Sequence, residues 1–253
     1  MATVDFKQVP TDVPLTVENI DRIAARAAEL ATAYKGRIEK IQQQVTDARE
    51  RFSREADEVV ADTDPANRPV AKQFAKQQLA SKIAKFRINI GESSRRLREE
   101  LLQPFAKLAA DAEFLLTLCR TPAQMLGRVA LGDTRRTQYQ LQLEGAGPVE
   151  LETAAVTAIA TNDLPLAAAI VTVVDRKKRD QRPFPVSSFA ERVWGEQHAE
   201  VTAKLNGVLL AYKTAVAADR EFVRGKADPI TNLSLQLAQR SIDEAAGSGG
   251  EEG

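Results

Sequence analysis

The sequence has few of the residues that mark a catalytic centre, a metal site or a disulfide framework. One cysteine, Cys119, and one histidine, His198, occur in 253 residues. A single cysteine cannot form an internal disulfide, and these two residues are too few for a zinc site built on Cys or His ligands. No glycine-rich phosphate loop with its lysine is present. We therefore predict no metal, no cofactor and no catalytic residue, and we expect that the protein is not an enzyme.

Neither sign of charge dominates, and no apolar run is long. Lys plus Arg and Asp plus Glu each number 35, so whole-chain attraction to nucleic acid or to an anionic membrane has no support. The most apolar stretch, Leu164 to Val174, is much shorter than the roughly 20 residues that cross a bilayer. The first ten residues lack the basic and apolar regions of a signal peptide. We expect a cytoplasmic location, or one within an assembled particle, with no secretion by a signal peptide and no transmembrane segment.

Three long stretches repeat their apolar residues every three or four positions, which is the spacing of one helical face. They run from Ile20 to Val59, from Leu79 to Leu115 and from Trp194 to Val223. A turn-forming segment with two prolines, residues 62–69, separates the first two stretches. The pattern predicts a long antiparallel helical hairpin followed by a third long helix.

Two prolines define the details of this predicted hairpin. Asp64 and Pro65 have the order of an N-cap followed by proline at the first helical position, so we expect the second helix to begin there. Pro104 lies inside the second stripe, but the apolar residues keep their phase across it. The second helix is therefore predicted to be kinked at Pro104 rather than broken.

The middle of the chain has shorter patterns. Residues 148–161 and 164–178 are alanine-rich and predict two compact helices. Residues 137–144 alternate apolar side chains with glutamines, which indicates one short β-strand or hairpin. The predicted fold class is mainly α, and the small helical subdomain includes this strand. The predicted parts are an extended arm (1–16), the long hairpin (17–120), the small subdomain (121–186), a long and a short C-terminal helix (187–245) and a flexible tail (246–253).

One segment departs from the balanced charge. Residues 66–98 carry a net charge of +8, with Glu92 as the only acid. Such a stretch can bind phosphates or an anionic membrane surface. Acidic residues at the matching end of the predicted hairpin can also neutralise part of it. The candidate anion-contacting residues are Lys82, Lys85, Arg87, Arg95 and Arg96.

The two rare residues have simpler interpretations than catalysis. His198 shares a helical face with Val201 and Leu205, and 21 positions separate it from Asp219, about 30 Å along one helix. That distance is too long for a base and its orienting carboxylate, so we interpret His198 as a core or interface residue. We interpret Cys119 as a small buried hydrophobic residue.

These observations favour a mechanical function. We predict a non-enzymatic structural or assembly protein, a long helical subunit that spaces or bridges chains in a homo- or hetero-oligomeric complex. A virus particle of the tailed-phage kind is one such setting. Its partners would be copies of itself or other protein subunits, not a small-molecule substrate. The alternative is a membrane-surface or nucleic-acid-binding helical module that uses residues 66–98, whose binding would weaken with salt.

Overall fold

Nearly all of the described chain is helical. The computed structural model describes the backbone of residues 16–247 and the side chains as far as residue 244. Within that range there are nine α-helices, one short 3-10 helix and no β-strand, so the predicted mainly α fold class is confirmed. The helices are α1 (Val17–Ala61), α2 (Arg68–Ser93), α3 (Arg95–Leu118), α4 (Pro122–Leu126), α5 (Thr134–Leu143), α6 (Pro148–Thr161), α7 (Leu164–Arg176), the 3-10 helix (Arg179–Gln181), α8 (Val186–Arg224) and α9 (Pro229–Gly247).

Most of the two predicted terminal segments lies outside the described residues. Of the predicted arm, only Thr16 is described, and of the predicted tail only Ala246 and Gly247, which belong to α9. The rest of both predictions concerns residues that the structure does not describe. The predicted boundaries between domains, and the autonomy of the hairpin, stay predictions.

The chain divides into two compact units. In the described chain, unit 1 combines residues 16–22, 110–207 and 240–247. Unit 2 combines Ile23–Ala109 and Val208–Gln239. Each unit therefore contains segments that are far apart in the sequence.

Helix α7 forms the centre of the core of unit 1. Most of its residues are buried, including four successive positions from Ala167 to Ile170, which occupy all sides of the helix. It packs along α5, α6 and α4. The turn before it is well defined, because Asn162 ends α6 in a left-handed conformation and the Asp163 side chain accepts a hydrogen bond from the Leu166 amide at 3.2 Å.

The predicted strand at residues 137–144 is wrong, because residues 134–143 form helix α5. The Asp133 carboxylate accepts from the Arg135 amide at 2.8 Å and caps the helix. The glutamines and leucines of this segment are good helix formers, so the alternation did not exclude a helix. Leu141 is 69% exposed, which shows that the alternating apolar positions do not share one buried face.

In unit 2, α1 and α2 run antiparallel where their side chains meet. Phe52 of α1 contacts Phe86 of α2 edge to face, with ring centroids 6.1 Å apart. One turn further along α1, Glu55 forms an ion pair of 3.0 Å with Lys82, which lies one turn earlier on α2. Contacts that advance along one helix and go back along the other require opposite directions.

Two details of the predicted helices are wrong. Helix α2 begins at Arg68 after the N-cap Asn67, not at Pro65, because Asp64 makes a turn by accepting from the Ala66 amide at 3.3 Å. The segment predicted as one second helix, kinked at Pro104, forms the two helices α2 and α3, which are separated at Ser94. Pro104 lies inside α3 and does not end it. The Ser94 hydroxyl donates to the Ile90 carbonyl oxygen at 2.6 Å, and such local bonds compete with the regular helical ladder.

Burial in α7 gives a direct test of the core of unit 1. Ile170 is fully buried, so Ile170→Ala should lower the free energy of unfolding by about 2–5 kcal/mol through lost contacts and a residual cavity. Val156 is 67% exposed on α6, so Val156→Ala should change it by less than about 0.5 kcal/mol. Urea denaturation of both variants measures the difference. Equal losses would contradict the placement of α7 in the core.

Candidate functional site

A buried polar network joins three parts of unit 2. Arg98, which is 5% exposed, forms an ion pair with Asp219 of α8 and donates from Nη2 to the Gly91 carbonyl oxygen at 2.9 Å. The hydroxyl of Tyr34 on α1 donates to Oδ1 of the same Asp219 carboxylate at 2.6 Å. The network therefore connects α1 and α8 with the point where α2 gives way to α3.

Tyr34 acts in this network as a neutral donor. Its side chain is 1% exposed, and burial raises the pKa of its hydroxyl well above the ordinary value. The hydrogen bond to Asp219 raises the pKa further, and the Arg98 charge opposes this effect. The hydroxyl therefore keeps its proton, which it donates in the hydrogen bond to the Asp219 carboxylate.

A second arginine, Arg87, caps the carboxyl end of α8. Arg87 donates from Nη2 to the Phe222 carbonyl oxygen at 3.0 Å and from Nη1 to that of Gly225 at 3.4 Å. These carbonyls lie in and just beyond the last turn of α8, whose end carries a partial negative charge. Gly225 has φ +78°, and a β-carbon there would lie 3.0 Å from Arg87 Nη1. A glycine at this position therefore allows both the left-handed turn and the arginine cap.

A cavity of about 560 Å³ lies beside this network in unit 2. Phe222 forms part of its wall, and the Arg98 guanidinium carbon lies 5.2 Å from the centre of that ring. This distance is typical of a cation–π contact. The charged residues that line the cavity are Arg87, Arg95, Arg98, Arg224, Glu92, Glu99 and Asp219.

The candidate anion-contacting residues have varied surroundings. Lys82 pairs with Glu55, and Arg96 pairs with Glu100 at 3.1 Å. Lys85 is exposed. Arg95 lines the cavity and pairs with Glu99 at 2.7 Å, while Arg87 lines the cavity and donates to backbone carbonyls. The structure therefore brings two of the five together, and their contact with an anion stays a prediction.

Two further cavity arginines, Arg98 and Arg224, were not among the predicted anion contacts. Helical spacing offered a signal for Arg98, because positions 87, 91, 95 and 98 recur at the three- and four-residue intervals that share one face. Arg224 had no such signal, since α8 is distant in sequence. Its place in the cavity depends on the tertiary fold.

The two rare residues contact each other through the backbone. His198 Nε2 lies 2.7 Å from the Cys119 carbonyl oxygen, in unit 1. Cys119 is 1% exposed, and burial raises the pKa of its thiol. Because a reactive thiol needs a lowered pKa and access to solvent, the interpretation of Cys119 as a buried hydrophobic residue is confirmed.

An apolar stripe of helix α9 lies on the surface. Ile230, Leu233 and Leu237 recur at intervals of three and four residues, and their exposed fractions are 81%, 57% and 55%. Residues 229–239 contain no charged side chain. An exposed and uncharged apolar face of this kind is typical of contact surfaces between proteins.

The described residues contain neither a candidate metal site nor a helix long and apolar enough to cross a membrane. Among the described residues, no group of three or more His, Cys, Asp or Glu side chains is placed to hold a metal ion. None of the described helices combines the length and hydrophobicity needed to span a bilayer.

Comparison with known proteins gives no relative for this chain. No protein-family model, curated protein or solved structure matches it. Its function is therefore inferred from the geometry of the chain itself.

The buried ion pair should dominate the stability of unit 2. Asp219→Ala leaves Arg98 buried without its carboxylate, and should lower the free energy of unfolding by about 3–5 kcal/mol. Glu100→Ala removes the exposed partner of Arg96 and should leave stability nearly unchanged. Urea denaturation distinguishes the two variants. A loss below about 1 kcal/mol for Asp219→Ala would make the pair no more important than a surface one.

The raised pKa of Tyr34 predicts a specific dependence of stability on pH. Because folding favours the neutral hydroxyl, this contribution is fully present below the unfolded-state pKa of about 10 and is lost as pH rises above it. The free energy of unfolding should therefore fall more steeply in the wild type than in Tyr34→Phe between about pH 9 and 11. Denaturation curves measured across this range test the difference. Parallel curves for the two proteins would contradict it.

Proposed function

We propose that this protein is a non-enzymatic structural or assembly protein that associates with copies of itself as a subunit of a larger complex. The observation that supports the proposal best is the exposed stripe of Ile230, Leu233 and Leu237 on α9. A location in the cytoplasm or in an assembled particle, for example a virion, belongs to the same proposal.

The spacing of the α9 stripe suits pairing between helices. Positions 230, 233 and 237 match the alternation of three and four residues found along a coiled-coil seam. Burial of exposed leucine and isoleucine side chains against a second helix would stabilise the association by about 25 cal/mol per Å² removed from water.

The absence of charge from residues 229–239 favours a second copy as the partner. Two identical faces with like charges would repel each other, whereas these faces carry none. An anionic surface would find no cation there. A stable interface buries roughly 800 Å² on each partner, more than three side chains supply. Other exposed apolar side chains of unit 2, namely Val59, Val70 and Phe74 around the turn between α1 and α2, are available for separate contacts with further subunits.

The alternative, binding of the basic segment to an anionic surface, has weaker support. Of the five candidate cations, only Lys85 has neither a carboxylate nor a carbonyl partner in the described part of the chain. Exposed ion pairs contribute little and can exchange partners, so these cations remain able to bind an anionic surface. The test below distinguishes this alternative from self-association.

Light scattering coupled to gel filtration tests the proposal at micromolar concentration. The wild type should elute as an oligomer, and the double variant Leu233→Glu, Leu237→Glu should dissociate it, because it places charges in the apolar seam. A matched control is Leu141→Glu, Val156→Glu, which changes two side chains exposed by 69% and 67% in unit 1. The control should keep the oligomer.

Two results would contradict the proposal. One is a wild-type monomer throughout the micromolar range. The other is an oligomer that both double variants leave intact. Binding of the wild type to DNA or anionic vesicles that is lost on charge reversal at Lys82, Lys85, Arg95 and Arg96, with an unchanged oligomeric state, would instead support the alternative.

A further inference from the structure

The cavity beside Arg98 has the size and surface of a site for a small organic molecule. Its volume of about 560 Å³ falls inside the range of roughly 300–1,000 Å³ that is typical of ligand sites. Leu102 and Phe222 supply apolar wall, and Ile88 and Val223 line the cavity while they remain 60% and 61% exposed. An apolar molecule would cover side chains that water contacts otherwise.

The charges around the cavity leave one net positive charge. Arg98 with Asp219 and Arg95 with Glu99 are ion pairs, so each pair is neutral. The remaining lining charges are those of Arg87, Arg224 and Glu92, none of which forms an ion pair with any described residue. Arg224 also interacts electrostatically with Asp228, which does not line the cavity. Two cations and one carboxylate give a surplus of +1, which a single negative charge balances.

Arg87 has the geometry to hold such a charge. Its bonds to the Phe222 and Gly225 carbonyls fix the guanidinium plane, and the partial negative charge at the end of α8 offsets only part of its positive charge. Its guanidinium carbon also lies 5.9 Å from the centre of the Phe222 ring. A guanidinium fixed in this way binds carboxylates and phosphates with little loss of side-chain freedom.

We propose that this cavity binds a small amphipathic monoanion, a molecule with one carboxylate or comparable acidic group and an apolar body. The acidic group contacts Arg87 and Arg224, and the apolar body lies between Ile88 and Val223. This ligand departs from the expectation that the protein has no small-molecule substrate. It is independent of the self-association proposed for α9.

Fluorescence of anilinonaphthalene sulfonate, an aromatic monoanion, provides the first probe. The wild type should bind it at one saturable site per chain, and octanoate should displace it. Octanol has a comparable apolar body without the charge, and acetate has the charge without the body. Neither should displace the probe at concentrations where octanoate does.

Three variants locate the binding. Val223→Glu adds a negative charge at an exposed position of the wall, and should weaken binding by at least about tenfold without unfolding the protein. Glu92→Gln removes the opposing carboxylate, and should strengthen binding by about two- to fivefold, a gain that no folding defect would produce. Val156→Glu makes the same change as Val223→Glu at an exposed valine that does not line the cavity, and should bind like the wild type.

Several results would overturn the proposal. They are the absence of saturable binding, displacement by octanol as effective as by octanoate, and equal affinity of the wild type and the Val223→Glu variant. Binding to phosphatidylserine vesicles without any binding of octanoate would place the protein on a membrane instead. The oligomeric state of the same variants, measured in parallel, keeps this test separate from the test of self-association.

Discussion

A buried guanidinium that must keep its carboxylate is the constraint on which unit 2 depends. Arg98 is almost fully enclosed, and an unpaired charge in that position would be strongly destabilising. Its partner Asp219 lies 121 positions later in the chain, and Tyr34 completes the network from α1. A slip of α8 by one helical turn, about 5.4 Å, would remove Asp219 from both partners. Apolar stripes alone tolerate such slips better, so the polar network fixes the register of the three helices.

The irregular residue Ser94, between α2 and α3, lies beside this network. The Gly91 carbonyl oxygen accepts from the Arg98 side chain, and the Ser94 hydroxyl donates to the Ile90 carbonyl oxygen. The backbone ladder continues here, because the Ser94 amide donates to the Ile90 carbonyl oxygen at 3.0 Å and the Arg98 amide donates to that of Ser94 at 3.1 Å. The irregular residue lies at the cavity, because Gly91 and Arg98 both line it. Polar groups of the candidate site therefore add side-chain hydrogen bonds where α2 gives way to α3.

Local patterns in the sequence predicted the helices well but not their irregularities. The stripe from Ile20 to Val59 follows α1, whose bounds are Val17–Ala61, because an apolar repeat of three and four residues over such a length fits only a helix. The short alternation at 137–144 suited both a strand and a helix, and the cap at Asp133 together with packing against α7 selected the helix. The division at Ser94 is a single irregular residue inside a continuous apolar stripe, so the stripe does not show it. The cavity likewise combines Arg87 and Arg95, which charge alone selected, with Arg224 of α8, which only the fold brings near.

The formal net charge of a segment overstates the positive potential at its surface when the carboxyl ends of helices lie close to its cations. Arg87 serves the carbonyls at the end of α8, and Arg68 donates to the Thr63 and Ala61 carbonyl oxygens at 3.2 and 3.4 Å, where α1 ends. Those ends carry partial negative charge that a count of formal charges omits. Cations placed there stabilise helix termini without any carboxylate, so the +8 of residues 66–98 has structural roles that need no anionic surface. The positive surplus that remains is local: the formal charges that line the Arg98 cavity sum to +1, part of which the end of α8 offsets at Arg87. A surplus of this size suits a small monoanion better than a polyanionic surface.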